Sequence, residues 1–174
     1  MDKLLKKQLQ KYIDSHFVDE NAICRCLDIE PPHAKQYKKA SYKMFDKSSS
    51  IKEFIDLVKD QQTFSQYLFS LIDESGESDA EVYTRAGIDR RLFSKIRSNS
   101  DYQPSKNTIF ALAMSLKLDY TKTRKLLNKA GYDFSNNKLT DIIIMFCIEN
   151  KINDLYQIDS LLTEYNQKPI ASDL

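Results

Sequence analysis

The chain contains very few residues that break helices. Its 174 residues include only three glycines and four prolines, well below the average usage of about 7% and 5%. Sandwiches and barrels of β-strands need many tight turns, and glycine and proline favour such turns. The sequence also contains no GxGxxG or GxxxxGK[ST] motif, which are the glycine-rich loops that bind phosphate. These features predict an all-α protein.

Apolar residues at helical spacing mark out the segments between these few breakers. Residues 3–17 form an amphipathic helix pattern, whereas residues 19–50 have no steady period. That second stretch is interpreted as a linker with a short helix near 33–45. We therefore predict an N-terminal helix and linker arm over residues 1–50, followed by a helical domain over residues 51–174.

Side chains that cap helices indicate where the helices of the second part begin. Two more helices are predicted over residues 138–149 and 154–166. The longest apolar run, residues 142–148, has a buried strand as its alternative, but its length and neighbours favour a core helix. That run is also too short to span a bilayer. The predicted N-caps are Thr63, Ser78 or Asp79, Asp89, Ser105 and Asp119.

Charge is balanced over the whole chain but segregated along it. The 26 basic residues and 25 acidic residues give a net charge of +1. Residues 50–84 have a net charge of −6, whereas residues 85–106 have +4 and residues 107–148 have +3. A basic surface on a neutral chain is typical of a protein that binds nucleic acid.

The three cysteines and the first residues indicate the compartment. An odd number of thiols, with four lysines and no apolar run over residues 1–11, is unlike a secreted chain. The sequence predicts a cytoplasmic protein without a membrane segment.

Two short predicted helices meet at Ala86-Gly87-Ile88, and the second of them is basic. Glycine suits the left-handed turn between helices that cross steeply, so the pair has the pattern of a helix-turn-helix. The second helix of such a pair can enter the major groove of DNA. If its apolar residues face the core, the residues on or beside its outer face are Arg90, Arg91, Ser94, Lys95 and Arg97.

This stretch resembles a known family. Residues 80–127, AEVYTRAGIDRRLFSKIRSNSDYQPSKNTIFALAMSLKLDYTKTRKLL, are similar to the lambda-repressor-like helix-turn-helix domain, and the resemblance extends over about 64–130. It implies a five-helix core, to which this chain adds helices at both ends. The segment from Phe64 onward also resembles a module of little-characterised bacterial proteins, with the blocks DRRLFSKIRSN and YQPSKNT, but that module names no activity. The matching features are Val82, Gly87-Ile88, Ile96, Pro104-Ser105, the helix over 108–116 and Leu118-Asp119.

The resemblance implies a regulator of transcription that binds double-stranded DNA. Family members often pair two-fold to match operator half-sites. The helices over residues 138–166 therefore predict either a homodimer seam or an extension of the core within one chain. The residues that the resemblance makes base-reading are Arg90, Arg91, Ser94 and Lys95, and those that it makes phosphate-contacting are Arg97 and Lys106.

The sequence departs from the family pattern at the start of the first helix of the pair. Members often have a glutamine there that contacts phosphate, whereas this chain has Asp79, whose charge repels DNA. With the acidic segment 73–81 and the N-terminal arm, this favours an alternative function: a non-catalytic protein-interaction module, such as an adaptor or an inhibitor of a nucleic-acid-handling protein. The two functions differ in whether Asp79 and Glu81 lie beside the exposed face of the 89–97 helix or behind it.

Other chemistry finds little support in the sequence. No GxSxG, HExxH or CxxC motif is present, so we expect neither an enzyme nor a cofactor. Structural zinc sites usually contain C-x₂₋₄-C and a second spaced pair, so no metal site is predicted. Cys147 is predicted to be a small buried apolar residue. The residues of metal-ligand type that come closest to such a site are Cys24, Cys26, His16 and His33.

Overall fold

The helices begin where the sequence places capping side chains. The computed structural model describes residues 3–16 and 62–173 of the chain. Thr63 and Ser78 each form a capping box with the residue three positions later, in which two backbone N–H groups at the helix start are satisfied reciprocally. The side chains of Asp89, Ser105 and Asp119 accept a hydrogen bond from the first turn that follows each of them. The predicted caps are therefore confirmed. Of the two residues predicted for the second cap, Ser78 is the cap and Asp79 is the first residue of the helix.

Over the described residues the fold is all-α, as predicted, with eight α-helices, one 3₁₀ helix and no strand. Residues 142–148 lie within a helix, so the strand alternative is wrong. The expected linker and its short helix near 33–45 lie outside the described residues. The elements are α1 Lys3–His16, α2 Phe64–Ser75, α3 Asp79–Arg85, α4 Arg90–Ser98, α5 Lys106–Ser115, α6 Tyr120–Lys129, α7 Leu139–Glu149, α8 Leu155–Glu164 and the 3₁₀ helix Ile170–Asp173.

Two apolar helices form the centre of the fold. Every side chain of α5 from Thr108 to Ser115 is buried, and α5 packs against α3, α6 and the 3₁₀ helix. Every side chain of α7 from Asp141 to Ile148 is also buried, and α7 packs against α1, α6 and α8. Helices that are apolar all round are stable only when neighbours cover them on every side.

The first helix is part of this core. Leu9 is fully buried and Ile13 is 8% exposed, and α1 packs against α7. The hydroxyl of Tyr12 donates a hydrogen bond to the carboxylate of Glu149 (2.9 Å). The sequence division at residue 50 groups α1 with the linker, whereas in the structure α1 belongs to the same unit as residues 62–174.

The last two helices extend the core within one chain. In α8, the side chains of Ile158, Leu161 and Leu162 are fully buried. Asp159 accepts hydrogen bonds from the backbone N–H groups of Ile170 (2.6 Å) and Ala171 (3.2 Å), which attaches the 3₁₀ helix to α8. Most of the apolar residues over 138–166 are thus buried within the chain, whereas Leu139, Leu155 and Tyr165 are only partly buried, and the homodimer seam stays a prediction.

The buried thiol of Cys147 provides a test of this packing. Cys147 is fully buried, and burial raises the pKa of its thiol to about 12. In a Cys24→Ser/Cys26→Ser variant at pH 8, we expect the remaining thiol to react with an aromatic disulfide reagent about a thousandfold more slowly in buffer than in urea, because only rare unfolding exposes it. Equal rates in buffer and in urea would show that α7 is not buried.

Candidate nucleic-acid interface

The turn between α3 and α4 has the conformation that its sequence predicts. Gly87 has φ of 66°, a left-handed conformation that costs glycine nothing because it has no Cβ. The N–H of Ile88 donates to the carbonyl of Tyr83 (2.9 Å), and the N–H of Gly87 to that of Thr84 (3.1 Å). Ile88 is only 4% exposed. A helix end of this kind, with an apolar residue packed behind it, fixes the direction in which α4 leaves the turn.

One face of α4 is anchored in the core. Phe93 is 3% exposed and Ile96 is fully buried, and the hydroxyl of Ser65 in α2 donates to the carbonyl of Ile96. The Phe93 ring contacts Phe69 of α2 edge-on, with centroids 5.7 Å apart, and lies 5.4 Å from the Tyr83 ring of α3. These contacts leave the opposite face of α4 to solvent.

The four residues expected to read bases lie on or beside that exposed face. Arg90 and Ser94 are one helical turn apart, as are Arg91 and Lys95, and all four are exposed. The carboxylate of Asp89, at the start of α4, accepts the backbone N–H of Arg91 (2.6 Å) and so caps the helix. Within the described ranges no ion pair involves either arginine, so both guanidinium groups can take an external acceptor.

Lys95 has a neighbour that the sequence did not indicate as a partner. Its ammonium lies 4.3 Å from the centroid of the Tyr102 ring, which is half-buried in the loop after α4. A cation over an aromatic face is attracted by the ring. Tyr102 therefore holds the lysine beside the exposed face without neutralising its charge.

Arg97 is engaged within the fold. Its guanidinium forms an ion pair with Asp79 and lies 4.2 Å from the centroid of the Phe69 ring. Its side chain is 55% exposed. Asp79 therefore lies beside the last turn of α4, where its charge is matched by Arg97. A contact between Arg97 and phosphate, which the resemblance implies, would have to compete with this ion pair.

Lys106 also has partners within the fold, and its side chain is more buried than that of Arg97. Its ammonium pairs with Asp141 of α7 and donates to the carbonyl of Asp133 (2.7 Å). The side chain of Lys106 is 19% exposed and that of Asp141 only 3%. The resemblance implies a phosphate contact for Lys106, but in this fold the lysine joins α5 to α7.

The acidic segment 73–81 is largely paired with basic residues of the same chain. Glu74 pairs with Lys122 (3.1 Å) and Glu77 with Arg85 (2.9 Å), in addition to the pair of Asp79. Glu81 accepts hydrogen bonds from the backbone and the hydroxyl of Ser78, and these bonds lower the pKa of its carboxyl. Glu74, Glu77 and Asp79 are therefore matched by cations of the same chain, whereas Glu81 caps its helix and keeps its charge.

The structure can also be searched for a metal site and for a helix that could span a membrane. Over residues 3–16 and 62–173, no group of three or more His, Cys, Asp or Glu side chains has the arrangement of a metal site. Of the four residues of metal-ligand type, His16 lies at the end of α1, its ring stacked on Tyr12, and Cys24, Cys26 and His33 lie outside the described residues. None of the helices in those two stretches has the length and apolar character needed to cross a membrane.

Phe69 and Tyr102 belong to the surroundings of this face, yet neither was expected to contact a cation. Phe69 lies on α2, where the sequence predicts most aromatic residues to pack in the core, and Tyr102 lies in the loop after α4, where the sequence predicts contact with a nucleic-acid backbone or a partner. Comparison with protein-family models, with curated proteins and with solved structures finds no match to this chain. The arrangement of α3 and α4 is therefore the basis for any functional interpretation.

Proposed function

We propose that the chain is a sequence-specific DNA-binding regulator of the lambda-repressor-like helix-turn-helix class, with α4 as its recognition helix. The observation that carries the proposal is the exposed basic face of α4. The turn at Gly87 sets the direction of this helix relative to α3. The major groove of B-DNA accommodates an α-helix. In this class, α2 to α6 supply the five-helix core, and α1, α7 and α8 are additions.

The side chains of this face have the chemistry that base reading requires. Arg90 and Arg91 have guanidinium groups that can donate two parallel hydrogen bonds to the O6 and N7 atoms of guanine. Ser94 can donate to or accept from a base edge, and Lys95 can donate to guanine or to phosphate. Arg97 and Lys106, which the resemblance makes phosphate-contacting, are not proposed as DNA contacts because both have partners within the fold.

Selection from a random-sequence duplex library at two salt concentrations tests the proposal. We expect the protein to enrich one motif, with an affinity that falls as salt rises because bound phosphates release their counterions. We expect the Arg90→Ala/Arg91→Ala variant to lose the enrichment, since each bidentate contact contributes about 1–3 kcal/mol of discrimination. The measured quantities are the enriched sequence and the affinity of each protein for it.

A matched variant separates base reading from loss of charge. Lys7→Ala/Lys11→Ala removes the same two positive charges from exposed positions of α1, and we expect it to enrich the same motif as the unmodified protein. Binding of every duplex with equal affinity, unchanged by the Arg90 and Arg91 substitutions, would contradict the proposal.

The alternative is a protein-interaction module that uses the same fold. Asp79 lies beside the last turn of α4, which disfavours DNA at that turn. However, its charge is matched by Arg97, and most other carboxylates of the segment 73–81 are engaged within the chain. The first turn of α4 keeps its two exposed arginines, Arg90 and Arg91, and this favours DNA. If the library selection yields no motif, a protein partner becomes the better proposal, and α4 is the surface to mutate in a pull-down.

A further inference from the structure

The ion pair between Asp79 and Arg97 joins the two ends of the helix pair that lie farthest from its turn. Asp79 is the first residue of α3, and Arg97 lies in the last turn of α4. The chain between them reverses at Gly87. The pair therefore closes the open side of the α3–α4 unit, opposite the turn.

Arg97 also contacts a third helix. Its guanidinium stacks over Phe69 of α2, and the Phe69 ring contacts Phe93 on the buried face of α4. The Phe93 ring in turn contacts Tyr83 of α3. The arginine thus lies on an aromatic cluster built from α2, α3 and α4, with its charge directed to the start of α3.

We propose that Asp79 and Arg97 are positioning residues, which hold α4 at the angle needed to read bases, and that Arg97 does not contact phosphate. This inference rests on the proposed function. Phe93 and Ile96 anchor α4 in the core, and the exposed ion pair, which adds little to stability, limits the small displacements of its last turn that remain. A recognition helix that swings loses base contacts but keeps its charge.

Repulsion of DNA by Asp79 and positioning of α4 by the Asp79–Arg97 pair predict opposite effects of the Asp79→Asn substitution. If Asp79 only repels DNA, removing its charge strengthens binding to every duplex. If the pair positions α4, the same substitution weakens binding to the selected motif relative to a random duplex. The ratio of these two affinities is therefore the quantity to measure.

The experiment compares Asp79→Asn, Arg97→Ala, Arg97→Lys and the Asp79→Asn/Arg97→Ala double variant. We expect each single substitution to lower the ratio roughly fivefold, and the double variant to lower it no further because the two residues act as one unit. Arg97→Lys should not restore the ratio, since lysine lacks the planar fork that pairs and stacks at once. The slope of log affinity against log salt should stay unchanged in Arg97→Ala, whereas loss of one phosphate contact lowers it by about 0.9.

The matched control is Glu74→Gln. It breaks the exposed pair with Lys122 and changes the net charge by the same amount without touching α3 or α4, so we expect an unchanged ratio. The inference is overturned if Asp79→Asn strengthens binding to both duplexes, or if Arg97→Lys restores the ratio.

Hydrogen exchange separates the failure of this inference from the failure of the proposed function. If the unmodified protein selects no motif, the proposed function fails, but the effect of the Asp79–Arg97 pair on the position of α4 can still be tested. The amides of α4 should then exchange several times faster in Asp79→Asn than in Glu74→Gln, since local opening exposes them. Equal exchange rates in the two variants would show that the pair does not hold α4.

Discussion

Replacing Lys106 with methionine is expected to lower the free energy of unfolding by roughly 3–5 kcal/mol at pH 7, because it leaves a buried carboxylate without its cation. Asp141 is 2% exposed and also accepts the backbone N–H of Ser135 (2.8 Å). Lys106 on α5 supplies the positive charge that matches Asp141, although the two residues are 35 positions apart in the sequence. Urea unfolding followed by circular dichroism measures the change.

Two further variants make this prediction specific. Lys122→Met makes the same chemical change in the exposed pair with Glu74, where the side chains are 47% and 61% exposed, and should cost less than about 1 kcal/mol. Lys106→Met/Asp141→Asn removes both charges and should recover part of the loss. Equal costs for Lys106→Met and Lys122→Met would show that Asp141 is not shielded from water. A phosphate role for Lys106 alone would lower DNA affinity and leave stability unchanged.

Replacing Leu9 with alanine is expected to destabilise the protein by about 2–5 kcal/mol, since a fully buried leucine leaves a cavity when it is truncated. Leu9 lies on the face of α1 that packs against α7, so the cost should appear in the unfolding of the whole unit. Thermal and urea unfolding with a helix-sensitive probe measure it.

Leu4 provides the matched control for this prediction. It lies on the same helix but is 60% exposed, so Leu4→Ala should change stability by no more than about 0.5 kcal/mol. If Leu9→Ala proves as harmless as Leu4→Ala, then α1 is an independent arm, as the sequence division at residue 50 implies. A large difference between the two would place α1 in the cooperative core.

The local features of the fold could be predicted from the sequence because each depends on a few neighbouring residues. Ser78, Asp89, Ser105 and Asp119 cap their helices through bonds that span two or three positions. The turn at Gly87 follows from a requirement for a left-handed residue. The exposed face of α4 follows from helical periodicity, which places Arg91, Ser94 and Lys95 away from Phe93 and Ile96 and Arg90 at the edge of that face.

The partners of the charged residues could not be predicted, because they depend on packing between distant segments. Nothing near Lys106 in the sequence indicates Asp141, and nothing near Arg97 indicates Asp79 or Phe69. Three helices end at a left-handed residue that is not glycine: Lys117, Lys151 and Asn166 have φ between 50° and 57°. Glycine is the usual residue there, so the sequence does not indicate these turn conformations, although the predicted helices over 108–116, 138–149 and 154–166 end within two residues of the observed ends.

The docking of α1 on α7 has a consequence during synthesis. The first helix leaves the ribosome about 130 residues before the helix that covers it, a delay of roughly 6–26 s at typical rates of translation. A helix of this length is marginal in water by itself, so Leu9 and Ile13 remain accessible to chaperones throughout that interval. The nascent chain completes this core only when the later helices emerge and α1 packs against them.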